Sequence, residues 1–231
     1  MSLKFLNPRS APTARERLLQ AAVQRVRAQG FAATSVDQLC SDAGVSKGAF
    51  FHHFASKDDL GVALAEHWTT STSALFASAT FHRLADPVAR VLGYIDLRTQ
   101  LLSGPPQGFS CVAGTMLQET FASSEAIRRA CADSIHGNAH ALEADLAAAL
   151  AARGAKGVDP ASLARHVQTV IQGAFVLAKT CEADQAAAMA REALGHLRRY
   201  VELLLATPHA SVARRPPTRR PSARSFKETS P

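Results

Sequence analysis

Three N-capping sequences within the first sixty residues constrain this chain more than any other feature. In each, a Ser or Thr hydroxyl stands three residues before a side chain that can return the hydrogen bond. They occur at residues 13–16, 35–38 and 56–59. Ser46 can cap another helix, while Gly30 and Gly44 are suited to end the first two. The spacing predicts helices over about 14–29, 36–43, 47–54 and 57–79.

The remainder of the chain is also predicted to be helical. Asp86-Pro87 and Asp159-Pro160 each place an acidic cap before a proline at the first helical position. Further helices are expected over about 87–102, 110–121, 124–152, 160–181 and 184–206, and no segment shows a convincing strand pattern. The fold class is therefore all-α with about nine helices.

Composition excludes several other classes of protein. The chain is 47% hydrophobic and 19% charged, which is enough to form a core. Its longest uncharged stretch, 99–118, contains three glycines and two prolines and is not a membrane span. The four cysteines lack metal-site spacing, and no secretory signal is visible, so we expect reduced thiols in a cytoplasmic protein.

Charge is concentrated at the two ends of the chain. Residues 1–62 carry a net charge of +3, residues 63–206 a net −1, and residues 207–231 a net +5. A neutral body with basic ends indicates a polyanionic partner, although a solubilising surface would give the same distribution. The last segment also holds five prolines and almost no apolar residues, so it is predicted to be a disordered basic tail.

Short helices joined by a turn that contains Gly44 match the helix-turn-helix pattern. In that motif the second helix enters the major groove of DNA and presents its N-terminal residues to the bases. The predicted DNA-contacting residues are Ser35, Ser46, Lys47, Gly48, Ala49, Phe51, His52, His53 and Lys57. The first helix places Leu18, Leu19 and Val26 on one face and its arginines elsewhere.

The N-terminal region resembles the DNA-binding domain of TetR-family transcriptional regulators. The resemblance rests on Gly30-Phe31, Thr34-Ser35-Val36, the run from Ala43 to Phe54, and Ser56-Lys57-Asp58-Asp59-Leu60. It implies a homodimer that binds a palindromic operator, with base contacts from Lys47, Gly48, Ala49 and Phe51. It also implies phosphate contacts from Ser35, Val36, His53 and Lys57. The family often has Thr and Tyr where this chain has Ala49 and Phe51, which removes polar contacts.

The predicted organisation is an arm (1–12), a DNA-binding domain (13–62), an effector-binding and dimerisation domain (63–206) and the tail (207–231), and the roles of the two domains are what the resemblance implies. The resemblance also assigns dimerisation to the last two long helices. Their apolar faces contain the predicted interface residues Val167, Ile171, Phe175, Leu197, Val201 and Leu204. The alternative is that these faces pack only within one protomer.

The helices between 63 and 155 are expected to enclose an effector pocket. Its predicted lining is Trp68, Phe76, Tyr94, Phe109, Cys111, Met116, Phe121 and His140, each of which could instead be ordinary core. Such an apolar lining suits a small neutral or weakly acidic organic molecule. No cofactor is expected.

Two smaller groups of residues suggest more specific chemistry. Asp133, His136, His140 and Glu143 share one helix face that could chelate a metal, but a solvated polar face is the preferred interpretation, and no metal is predicted. Cys111 stands at a predicted helix start, which lowers a thiol pKa, so it could sense an oxidant; a buried inert thiol is the alternative.

The sequence therefore predicts a ligand-responsive DNA-binding regulator, and a repressor in particular, with double-stranded DNA, a second copy and a small effector as partners. One alternative is a sequence-neutral nucleic-acid-binding protein. The other is a helical enzyme, although no P-loop, dinucleotide fingerprint or Gly-x-Ser-x-Gly elbow is present.

Overall fold

The computed structural model describes residues 11–206, and α-helices account for most of this range. The helices are α1 (Ala14–Gln29), α2 (Val36–Ala43), α3 (Lys47–His53), α4 (Lys57–Ala77), α5 (Pro87–Gln100), α6 (Val112–Thr120), α7 (Glu125–Ala152), α8 (Pro160–Ala178) and α9 (Ala186–Leu204). No strand occurs between residues 11 and 206. The predicted all-α class and the number of helices are confirmed. The predicted tail lies outside the described residues.

The caps at the start of the chain form much as the sequence predicts. Thr13 and Ser35 both make complete capping boxes, and Gly44 adopts the left-handed conformation (φ 61°) that ends α2. At α4 only half of the box forms. The Ser56 hydroxyl accepts from the N–H of Asp59, but the Asp59 carboxylate accepts from the N–H of Ala55 rather than that of Ser56.

Several helices are one to three residues shorter at their ends than the sequence predicts. Two 3-10 turns, Thr80–Arg83 and Pro106–Gly108, occupy connections that were expected to be irregular. The start of α6 moves from Ser110 to Val112, because Cys111 is its N-cap. The Cys111 Sγ accepts from the N–H of Gly114 at 3.3 Å.

One continuous core joins the first three helices to the other six. Leu18, Leu39 and Phe50 are completely buried where α1, α2 and α3 meet. The long helix α7 packs against α4, α5, α6 and α8, and α9 packs against α5 and α8. Besides contacting α4, helix α1 lies against α6 and the Pro106–Gly108 turn, which brings the N-terminal helices into contact with the interior of the larger unit.

No helix within residues 11–206 combines the length and the apolar character needed to cross a membrane.

Candidate nucleic-acid interface and ligand cavities

Helix α3 has one buried side and one outward side. Phe50, within the helix, and Phe54, its C-cap, are buried. Phe51 is 51% exposed and makes an edge-to-face contact with Phe50, with ring centroids 5.2 Å apart. An exposed phenylalanine contributes little to the core, so Phe51 is available to contact a partner.

The other predicted DNA-contacting residues of α3 and its N-cap are also accessible at the surface. Four of these positions are exposed, namely Ser46, Lys47, Gly48 and His52. The other two, Ala49 and His53, are half-buried. A Cβ added at Gly48 would meet only the Ser46 hydroxyl, at an ordinary 3.8 Å. The fold itself therefore does not require a glycine at position 48.

Both predicted lysines already have partners within the chain. The Lys47 ammonium lies 2.9 Å from the carboxylate of Asp37 on α2, and the hydrogen bond to Asp37 raises the pKa of Lys47. The Lys57 Nζ donates to the carbonyl of Ala32 at 3.0 Å and lies over the Phe31 ring. Partial burial lowers the pKa of Lys57. A phosphate would have to compete with these contacts.

A carboxylate from α6 reaches the turn that follows α1, which the sequence did not indicate. The Glu119 Oε2 accepts from the N–H of Ala32 at 2.7 Å. Gly30 makes this approach possible, since a Cβ at position 30 would lie 2.1 Å from the Glu119 Oε1. The backbone φ of Gly30, +88°, is also one that other residues rarely adopt.

Two cavities lie among the helices of the larger unit. One of about 270 Å³ is lined by Phe76, Phe81, His82, Tyr94, Leu142 and Asp145 among others. A smaller one of about 50 Å³ is bounded by α1, α4, α5, α7 and α8 and by the turn at 106–108. Five predicted effector-pocket residues line one or both cavities: Trp68, Phe76, Tyr94, Phe109 and Cys111.

Two of the predicted pocket residues point away from the interior. Phe121, just past the end of α6, is 64% exposed, and the His140 side chain is largely exposed beside Glu143. The prediction is wrong for both, because a solvent-facing side chain cannot line an internal cavity. Met116 is completely buried as part of the core.

Two arginines, neither indicated by the sequence pattern, line the smaller cavity. Arg98 on α5 donates twice to the Tyr94 hydroxyl, at 3.0 and 2.8 Å, and stacks over Phe76. Arg27 comes from α1 and is only 7% exposed, with its Cζ 5.4 Å from the centroid of Trp68. Burial lowers the pKa of Arg27 to about 10. Its neighbours on α1 suggested an outward arginine, and helical periodicity alone gave no sign of this burial.

The predicted interface residues on α8 and α9 are largely core residues of the protomer. Val167, Ile171, Phe175, Leu197 and Val201 are buried, and Leu204 is half-buried. Assigning the five buried residues to a dimer interface is wrong, because the chain's own helices already cover them, whereas the assignment of Leu204 stays a prediction. The exposed large apolar residues on these two helices are Val176, Leu177, Tyr200 and Leu203.

The remaining candidates show no built site. All four cysteines are free, and burial raises the pKa of Cys131 to about 12. Cys111 is buried at the edge of the smaller cavity. Among the residues that the structure describes, no three His, Cys, Asp or Glu side chains come together as metal ligands, and His140 pairs only with Glu143.

Two family models match separate parts of the chain. Residues 18–64 match "Bacterial regulatory proteins, tetR family", and residues 87–193 match "Transcriptional regulator LmrA/YxaF-like, C-terminal domain". The first match includes the whole of α2 and α3, and the second runs from the start of α5 into α9.

Curated relatives are similar over about half of this chain. The transcriptional regulator AcuR of Cereibacter sphaeroides is 29% identical over 126 residues, which cover 53% of this chain and 58% of AcuR. An HTH-type transcriptional repressor of Mycobacterium tuberculosis is 34% identical over 108 residues, covering 43% of this chain and 55% of its own. The matches thus span little more than half of each relative, and both relatives are described as regulators rather than enzymes.

Solved structures share the fold over most of their length. Reduced NemR of Escherichia coli superposes with a TM-score of 0.70 at 24% identity, over 85% of this chain and 99% of NemR. Regulatory protein TetR of Rhodobacter sphaeroides gives a TM-score of 0.69 at 22% identity, over 83% and 98%. These similarities establish the fold of the whole helical unit.

Proposed function

The chain belongs to the TetR family of bacterial transcriptional regulators, and from that premise we propose that it is a repressor which a small organic effector releases from a palindromic operator. The DNA-binding part is residues 13–62, and the effector-binding and dimerisation part is residues 63–206. Such a role implies a cytoplasmic location, where the bacterial chromosome lies.

The outward surface of α3 carries this proposal. Lys47, Gly48 and Phe51 lie exposed along the helix that follows the Gly44 turn, which is the reading position of a helix-turn-helix. Phe51 can contact a thymine methyl, and Lys47 can reach a guanine edge or a phosphate once it leaves Asp37. The backbone at Gly48 can approach the DNA closely because no Cβ intervenes.

The proposed homodimer uses the outward stripe of α8 and α9, defined by Val176, Leu177, Tyr200 and Leu203. These residues lie on the solvent side of helices whose opposite faces are buried in the protomer. Pairing this stripe with its counterpart on a second copy buries it from water and forms a four-helix interface. The two reading helices of a dimer then address the two halves of a palindrome.

Effector binding is proposed to act through α1, which supplies Arg27 to the smaller cavity, and through α6, whose N-cap Cys111 lines the same cavity. Arg27 on α1 lines the smaller cavity, and Glu119 on α6 holds the N–H of Ala32. A ligand that displaces either helix shifts the turn on which Lys57 also rests. Repression is then relieved when the two reading helices no longer fit successive major grooves.

Selection of binding sites from random DNA by the full-length chain tests the proposal. We expect a palindromic consensus, bound at least about 10³-fold more tightly than a scrambled duplex in a gel shift. A Phe51→Ala variant should keep its helical content and lose about tenfold in affinity for that consensus, because one base contact is typically worth about 1–3 kcal/mol. Less than about tenfold preference over scrambled DNA contradicts the proposal and favours sequence-neutral binding.

A further inference from the structure

Arg27 is a buried cation without a counter-charge. Its Nε is inaccessible to water and has no hydrogen-bond partner, and within residues 11–206 its guanidinium joins no ion pair. Its Cζ lies 5.4 Å from the centroid of the Trp68 ring, a cation–π contact that only partly compensates for a buried charge. Burying a charge is costly unless the charge is paired, so an unpaired arginine that is 93% buried indicates a missing partner.

The surroundings of Arg27 specify the charge of that partner. The smaller cavity is lined by two cationic residues, Arg27 and Arg98, and by no carboxylate. The Nε–H and one terminal N–H of Arg98 already donate to the Tyr94 hydroxyl, which also accepts a hydrogen bond from Gln168. The Nε of Arg27, by contrast, is buried without a partner, and the planar fork of its guanidinium matches a carboxylate.

The size and walls of the cavity limit what else the partner can be. A volume of about 50 Å³ corresponds to about four water positions, and therefore to a ligand of only a few non-hydrogen atoms. Trp68, Phe109 and Phe175 supply apolar walls. A short hydrocarbon chain fits against these rings. Asn138 and Gln172 also line the cavity and add polar amide groups to it.

We propose that the effector is a small organic anion, a short monocarboxylate, which enters the smaller cavity and forms an ion pair with Arg27. The inference deepens the proposed function by naming the chemical class of its effector, and it rests on that function only for the consequence at DNA. Because Arg27 belongs to α1, the ligand is held directly by the DNA-binding part of the chain. A displacement of Arg27 by the ligand is transmitted along α1 to Gly30, about one helical turn further on. Gly30 precedes Ala32, whose N–H donates to Glu119.

Ligand binding is measured on the full-length chain without DNA, by calorimetry and by thermal unfolding. The probes are propionate and butyrate, each compared with its uncharged amide at the same concentration. We expect a carboxylate to raise the melting temperature and to bind at least about tenfold more tightly than its amide. The absence of binding by either carboxylate up to about 10 mM overturns the inference.

Two variants in the cavity locate the site. Arg27→Met removes the charge but keeps an apolar chain of similar reach, so it should abolish the preference for carboxylate while leaving the unliganded melting temperature equal or higher. Arg98→Met is the matched control and should keep the preference, because the Arg98 guanidinium is engaged by Tyr94. Preference that survives Arg27→Met, or is lost only in Arg98→Met, contradicts the assignment.

A third variant covers the case in which Arg27→Met fails to fold. Arg27→Lys keeps the positive charge without the planar fork, and we expect a weakened but measurable carboxylate preference. Equal binding of carboxylate and amide by a folded Arg27→Lys protein counts against an ion pair. Carboxylate binding by a chain that selects no operator would refute the proposed function alone, whereas operator binding without carboxylate binding would refute this inference alone.

Discussion

The carboxylate of Glu119 accepts a 2.7 Å hydrogen bond from the N–H of Ala32, and the carbonyl of Ala32 accepts a hydrogen bond from Lys57 at 3.0 Å. One alanine in a turn thus joins the end of α6 to the start of α4. The reading helix lies between this turn and α4 in the chain. Movement of α6 can therefore reach the DNA-binding surface through this hydrogen bond as well as through the packing of α6 against α1 and α4.

Removing the Glu119 acceptor should loosen this connection. We expect Glu119→Ala to lower the free energy of unfolding by about 1 kcal/mol, because the contact is at the surface and contributes one charge-assisted hydrogen bond. Chemical denaturation measures the loss. Glu119→Gln keeps an oxygen acceptor and should lose clearly less; equal losses in the two variants would show that the hydrogen bond is not the stabilising feature.

Gly48→Ala should separate folding from DNA binding. A Cβ at position 48 meets nothing closer than 3.8 Å within the chain, and alanine favours helix over glycine by about 1 kcal/mol. We therefore expect an unchanged or higher melting temperature together with operator affinity reduced by about tenfold or more. The comparison is a gel shift beside thermal unfolding. Full operator affinity in a folded Gly48→Ala protein would show that the backbone there does not approach DNA.

A negative charge on the outward stripe should produce monomers. Leu203 is 61% exposed in the protomer, so Leu203→Glu should leave the fold intact while opposing dimerisation. Light scattering gives the mass, and operator affinity should fall with it because one protomer grips only one half-site. Leu197→Glu is the contrasting control, since Leu197 is core and its replacement should unfold the chain. A dimeric Leu203→Glu protein would place the interface elsewhere.

Stability should fall on acidification through His67. Burial, and then the charge of Arg15, lower the pKa of His67 in the folded chain, while Glu16 partly opposes this. The unfolded chain therefore binds the proton more readily, and stability decreases as the pH falls from above about 6.5 towards 5. Melting temperatures across this window should decline less in His67→Gln than in the parent chain. Identical declines would assign the effect to other groups.

Elements with a local chemical signal could be predicted from the sequence, and the structure shows why. Thr13, Ser35 and Gly44 act through hydrogen bonds and dihedral angles within a few residues of themselves, so their helices begin and end nearly where the sequence indicates. The same holds for the outward direction of Phe51, because Phe50 and Phe54 are needed in the core.

Positions that depend on distant elements could not be predicted in the same way. The apolar faces of α8 and α9 show that something covers Phe175 and Leu197, but not whether the cover is the same protomer or a second copy. Arg27 and Glu119 are informative only once α1, α6 and the cavity are in place. A buried cation without a partner has no periodic signature, since its cost comes from the environment that the fold creates around it.

The ion pair between Lys47 and Asp37 alters what ionic strength should do to operator binding. A lysine that neutralises a phosphate normally contributes about one released counterion to the salt dependence of affinity. Here Asp37 already acts as the counterion of Lys47, and on binding it is left exposed and attracts a cation of its own. The counterion that Lys47 would release and the cation that Asp37 takes up therefore nearly cancel at this position. Each protomer should therefore show a shallower salt dependence than a count of its basic DNA-contacting side chains implies.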